Sequence, residues 1–109
     1  MPPGKVQSNL TVEKSEAQVV LKWSVPGGTC TVTGYGVYRG TLPWTMYNHA
    51  QLNCIVTGTT YTDASATLSY YYLVVPLNSS KEGSYGTDSS GSERPQALSP
   101  CLSQDLTAC

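Results

Sequence analysis

Residues 69–78 read SYYYLVVPLN, the longest run of aromatic and β-branched residues in the chain. In an extended strand Tyr70, Tyr72 and Val74 fall on one face, and Tyr71, Leu73 and Val75 on the other. Both faces are largely apolar, which predicts a central strand covered on one side by a second sheet. A helix is disfavoured, because tyrosines and valines lose rotamer freedom there and Pro76 would break it.

The neighbouring stretches follow the same period. Residues 18–25, QVVLKWSV, put Val19, Leu21 and Trp23 on one face and Val20, Lys22 and Ser24 on the other. Pro26, Gly27 and Gly28 stop that strand. Residues 34–40, GYGVYRG, put Tyr35, Val37 and Arg39 on one face and Tyr38 on the other. The core expected from these three strands is Leu21, Trp23, Tyr35, Val37, Tyr70, Tyr72 and Val74, centred on the Trp23 indole.

Weaker signals fill the gaps. Residues 5–13 read as a first strand with an irregularity near Asn9, and 59–62 as a short strand before the crossover at 64–68. Residues 41–53 have no clean period; Pro43 and Asn48 argue for a loop with at most a short edge strand. SSKEG after Asn78 reads as a hairpin turn, leading to a last strand at 84–90 paired with the 69–78 strand. Glycines at 83, 86 and 91 make that strand a weak edge. From Ser92 onward there are two prolines and no period, which reads as a tail or linker. About seven short strands with no helical segment predict a two-sheet antiparallel sandwich.

Composition narrows the partners. The chain has 109 residues, so one domain with one thin core is expected. Charged residues make up 12% and the net charge is −1, so no strong field draws nucleic acid or anionic lipid. No apolar run reaches the ~18 residues of a membrane helix, so no membrane insertion is expected. Met1 to Gly4 lack the basic and apolar regions of a signal peptide and read as a linker-like start on a domain cut from a longer chain. Four cysteines, Cys30, Cys54, Cys101 and Cys109, none of them in a CxxC pair, favour disulfides and an oxidising compartment.

At this point the residues resemble the fibronectin type III family. WSVP carries Trp23 in the second strand, GYGVYRG carries Tyr35 and Val37 in the third, and Tyr70, Tyr72, Val74, Pro76 and Asn78 follow the spacing of the sixth. Leu68 two residues before Tyr70 fits that family's tyrosine corner, in which the Tyr70 hydroxyl bonds a nearby backbone group. Pro76 departs from the usual alanine. The resemblance implies a seven-stranded immunoglobulin-like antiparallel β-sandwich over residues 5–91, between a start at 1–4 and a Pro/Ser-rich tail at 92–109. The ending and the extra cysteines look like the bacterial secreted form of the family, a module appended to hydrolases and surface proteins. That form implies a monomeric spacer or presentation module whose partners are neighbouring domains of a parent chain.

Candidate sites are few. His49 sits in a polar loop and reads as a solvated histidine rather than a catalytic base. Glu13, Glu16, Asp88 and Glu93 read as turn and surface charges, and Asp63 as an acid closing a strand turn. No Asp-x-Asp-x-Asp run offers a calcium loop and no ligand set offers a zinc site, so no metal or cofactor is expected. No catalytic set is expected either. The surface candidate is the 41–53 loop, where Trp44, Met46 and Tyr47, with Tyr38 as a further ring, could stack on a polysaccharide or plug into a protein pocket. The competing reading folds Trp44 back over the sheet edge as a cover. Asn9-Leu10-Thr11 and Asn78-Ser79-Ser80 match the glycosylation pattern, unused in a bacterial source.

The spacing of the cysteines favours Cys30–Cys54, closing a loop of about 25 residues for roughly 3.5 kcal/mol, with Cys101–Cys109 closing a small ring in the tail. The alternative ties the tail to the body through Cys54–Cys101 or Cys30–Cys101 and makes the tail structural.

Overall fold

The computed structural model describes residues 10–15, 18–25, 32–41, 47–64, 70–86, 90–97 and 99–105. Within them there is no helix, and eight strands form two sheets. The strands are β1 (Thr11–Ser15), β2 (Gln18–Lys22), β3 (Gly34–Thr41), β4 (Ala50–Val56), β5 (Thr60–Asp63), β6 (Tyr70–Leu77), β7 (Lys81–Glu82) and β8 (Ser103–Gln104). One sheet runs β1-β2-β5 and the other β4-β3-β6-β7-β8. All pairings are antiparallel except β7 with β8.

The two sheets share one core. Val19, Leu21 and Trp23 come from the first; Tyr35, Val37, Val56, Tyr72 and Val74 come from the second. Of the expected core residues, Leu21, Trp23, Tyr35, Val37, Tyr72 and Val74 lie in it and Tyr70 is half-buried at its margin, while Val56 from β4 joins it without having been expected there. Trp23 meets Tyr35 edge to face at 5.3 Å between ring centroids. That geometry places the positive ring edge on the negative face of its partner. The Trp23 amide donates to Thr59 O, so the β2–β5 ladder runs one residue past β2.

β3 and β6 pair along eight positions, from Gly34↔Leu77 to Thr41↔Tyr70. Pro76 is tolerated in the middle of this sheet because of its side. Its carbonyl accepts from Gly83 N at 2.8 Å. In a strand a residue's N and O point the same way, so the missing N–H faces the short β7 and leaves the long β3 ladder intact.

Three expectations are corrected. Residues 50–56 form a seven-residue edge strand instead of mostly loop; its register with β3 shifts twice, which erases the period of 2. The last strand paired with β6 lies at Lys81–Glu82, inside the stretch read as a turn, with only the start of that stretch turning. Asn78 tightens that turn: its Oδ1 accepts from the amides of Ser80 and Lys81, and its own amide donates to Lys81 O. Residues 92–97 and 99–105 do not trail away as a tail. They cross the outer face of the five-stranded sheet, bury Ala97 against it, and end as β8 beside β7. A parallel neighbour needs a long crossover, and residues 83–102 supply one.

Candidate functional site

The outer face of the five-stranded sheet carries the densest chemistry. On β3, Gly36, Tyr38 and Gly40 alternate. A Cβ at Gly36 would press on Cys101 Sγ and the Tyr38 ring at 3.1 Å, and one at Gly40 would overlap the Tyr71 ring. The two glycines therefore open lateral room for large groups lying across the strand. Tyr38, Leu73, Val75, Tyr85 and Ala97 form a second buried cluster there.

Glu82 is the centre of this face and is fully buried. Its Oε1 accepts from Tyr38 OH at 2.6 Å; its Oε2 accepts from Tyr85 OH at 2.6 Å and Gln96 Nε2 at 2.8 Å. Tyr38 OH in turn accepts from Cys101 N at 2.9 Å. Burial, reinforced by the Glu82 bond, pushes the Tyr38 hydroxyl up to about 12, and the same causes raise that of Tyr85 further. Both oxygens of Glu82 are thus consumed by internal donors, which is a structural use of a buried acid.

His49 lies beside this network and is also buried, 3% exposed, which corrects the reading of a solvated loop histidine. Its Nε2 is 2.7 Å from Pro95 O and its Nδ1 is 3.0 Å from Tyr71 OH. A carbonyl only accepts, so Nε2 carries the proton and the neutral ring takes the Tyr71 hydroxyl at Nδ1. Burial, aided by Arg94, holds its pKa below the ordinary histidine value. The rings of Tyr38, Tyr47, Tyr71 and Tyr85 surround it at 5.4 to 6.3 Å between centroids.

A strap formed by residues 93–97 and 99–105 closes over this face. Besides the Pro95, Gln96 and Cys101 bonds, Ser99 O accepts from Gln51 Nε2 at 2.7 Å, and Gln104 Nε2 donates to Gly83 O at 3.3 Å. At its start, Glu93 accepts from Ser84 Oγ and Tyr85 N at 2.7 and 2.8 Å, and Arg94 N donates to Gly86 O where that glycine takes a φ of 85°. Cys54 on β4 is disulfide-bonded to Cys101 in the strap. This overturns both expected pairings, Cys30–Cys54 and Cys101–Cys109, in favour of the alternative that makes the C-terminal segment structural. Cys30 and Cys109 lie outside the described residues. Beside the disulfide opens a cleft of about 350 Å³, lined by Cys54, Cys101, Ile55, Leu77, Leu102 and Asn78 among others. Ile55 stands 82% exposed nearby.

A second polar cluster ties the two sheets together. Asp63 at the end of β5 is buried, and its Oδ2 accepts from Arg39 Nη1 and Tyr72 OH, each at 2.8 Å. The Arg39 guanidinium also lies 4.1 Å from the centre of the Tyr70 ring. Burial works against the Arg39 charge, but the bond to Asp63 and its charge outweigh that and raise the pKa. Burial and the Asp63 bond raise the Tyr72 hydroxyl. Asp63 is therefore more than an acid closing a turn.

Of the predicted surface residues, Tyr38 is fully buried and belongs to the Glu82 network, so it offers no ring to a ligand. Tyr47 is half-buried against His49 and Tyr71. Trp44 and Met46 lie outside the described residues, as does the 65–69 crossover on which the tyrosine-corner reading of Tyr70 depends. Among the described residues no cluster of three His, Cys, Asp or Glu side chains could hold a metal ion. Glu82, Gln96 and Tyr85 were not anticipated. The available signal was the outward pair Tyr38 and Tyr71, which needs a cover that only the 92–105 segment was left to provide. No protein-family model and no curated protein matches the chain.

Proposed function

We propose that the chain is a non-catalytic accessory module of the fibronectin type III kind, part of a larger secreted or cell-surface protein in which it spaces or presents neighbouring domains. The observation carrying this reading is the strand order: β1-β2-β5 faces β4-β3-β6-β7, with the Trp23–Tyr35 pair between the sheets. Two facing, mainly antiparallel sheets around one core support a sandwich of that kind, with β8 added by the strap. The disulfide fits an oxidising compartment. The engagement of Glu82, His49 and Asp63 in internal bonds fits a role in support rather than in chemistry. Assays of the folded chain on polysaccharide, peptide and ester substrates are expected to give no turnover; turnover that co-purifies with the folded chain overturns the proposal.

A second reading, binding to carbohydrate or protein through the Trp44/Tyr47 loop, draws on one observation. The Tyr47 ring is held edge to face by both His49 and Tyr71, so it is presented in a set orientation. Tryptophan fluorescence with soluble polysaccharides, compared between the native chain and Trp44→Ala or Tyr47→Ala, separates the two readings.

A further inference from the structure

We infer that the Cys54–Cys101 disulfide is a cleavable latch: a thiol-exchange site whose reduction by a dithiol frees the 93–105 strap while the two-sheet core stays folded. Three observations carry this. The disulfide lines an open cleft of about 350 Å³, so a small or protein-borne dithiol has a route to sulfur. The strap is held mainly by polar contacts, from Gln51, Glu82, His49, Tyr38 and Gly83. Its one buried apolar side chain among those described is Ala97, which buries too little area to hold it alone. The main core contains no residue of the strap among its described members. Local opening is then separable from global unfolding.

The exchange balances without further reagents. One thiolate of the dithiol attacks a sulfur of the Cys54–Cys101 bond, giving a mixed disulfide and a departing thiolate that takes up a proton. The second thiol resolves the mixed disulfide. The products are two cysteine thiols on this chain and an oxidised, cyclic reductant, with two electrons transferred. Freed of the strap, the sheet face bearing Tyr38, Tyr85 and His49 loses its cover.

The test uses the intact oxidised chain in native buffer. Dithiothreitol is added, thiols are alkylated and located by peptide mass spectrometry, and amide hydrogen exchange is followed by segment. Cys54 and Cys101 are expected to be alkylated without denaturant, and amides of 93–105 to exchange at least ~100-fold faster, with β2, β3 and β6 unchanged. Alkylation of this pair only in denaturant overturns the proposal. So does a uniform rise in exchange across β2, β3 and β6, which marks the bond as a support of the whole fold. The double variant Cys54→Ser/Cys101→Ser supplies the second arm. Fast strap exchange without dithiol, over an intact core, supports the latch; a strap as protected as in the oxidised chain, or a variant that does not fold, overturns it.

Discussion

At the scale of single residues, the buried polar groups set the sharpest expectations. Glu82→Ala removes the acceptor of Tyr38, Tyr85 and Gln96 at once; Gln96 keeps its bond to Leu102 O, but two buried tyrosine hydroxyls lose their carboxylate. The expected cost is about 3 kcal/mol or more, read from the urea midpoint. Trp23 behaves differently. Among the described residues its buried Nε1–H meets no acceptor in good hydrogen-bond geometry, and makes only a weak polar interaction with the Tyr35 hydroxyl. Trp23→Ala is expected to cost about 3–5 kcal/mol for the lost volume. Trp23→Phe removes the unsatisfied donor as well as some packing, so those terms offset and its cost is expected to stay near ~1 kcal/mol. His49 sets a pH dependence. Its folded pKa is depressed by burial and by Arg94, with the Pro95 carbonyl bond and Glu82 opposing. In the window between that pKa and the unfolded value near ~6.5, the unfolded chain binds a proton that the folded chain does not. Stability is therefore full above that window and falls as pH drops through it. Thermal midpoints from pH 8 to 5 are expected to show this fall, and His49→Gln to flatten it.

At the scale of elements, glycine on β3 is a packing device. Gly40 sits opposite Tyr71 in the β3–β6 register, and a methyl group there meets the Tyr71 ring. Gly40→Ala is expected to push that ring off His49 and Asn48 and to cost about 1–3 kcal/mol, with the Tyr71 ring signals shifting by NMR. Gly36→Ala is expected to be milder, since its neighbours stand farther off. How legible each element was follows from its physics. β2, β3 and β6 were readable because their inward residues keep a period of 2 over the whole strand. β4 was hidden because its two register shifts break that period at the sheet edge. β7 was hidden in a turn signal because Lys81 and Glu82 look solvated; the partners that bury Glu82 are Tyr38 and Tyr85, 44 and 3 residues away in sequence, and Gln96, 14 residues away. β8 pairs in parallel over two residues, too short for any pattern.

At the scale of the whole molecule, two layers became three. The inner core was legible because each strand carries its own half of the code. The outer layer was not, since Tyr38, His49, Tyr71, Glu82 and the strap have no local pattern in common and meet only after the sheet exists. The disulfide belongs to this non-local part, and that sets an order of events. In an unfolded chain Cys54 is 24 residues from Cys30 and 47 from Cys101. Loop-closure entropy then favours the nearer partner by about 0.6 kcal/mol, roughly threefold. The bond found here is thus not the one random collision would form first. Oxidation begun in denaturant is expected to enrich Cys30–Cys54, and oxidation begun after the reduced chain has been allowed to fold to give Cys54–Cys101, both read by non-reducing peptide maps. The folded sheet acts as the template for its own cross-link, so oxidative maturation of this chain depends on timing: an oxidant that acts before β4 and the strap have met commits the chain to a mispaired isomer that only disulfide shuffling can rescue.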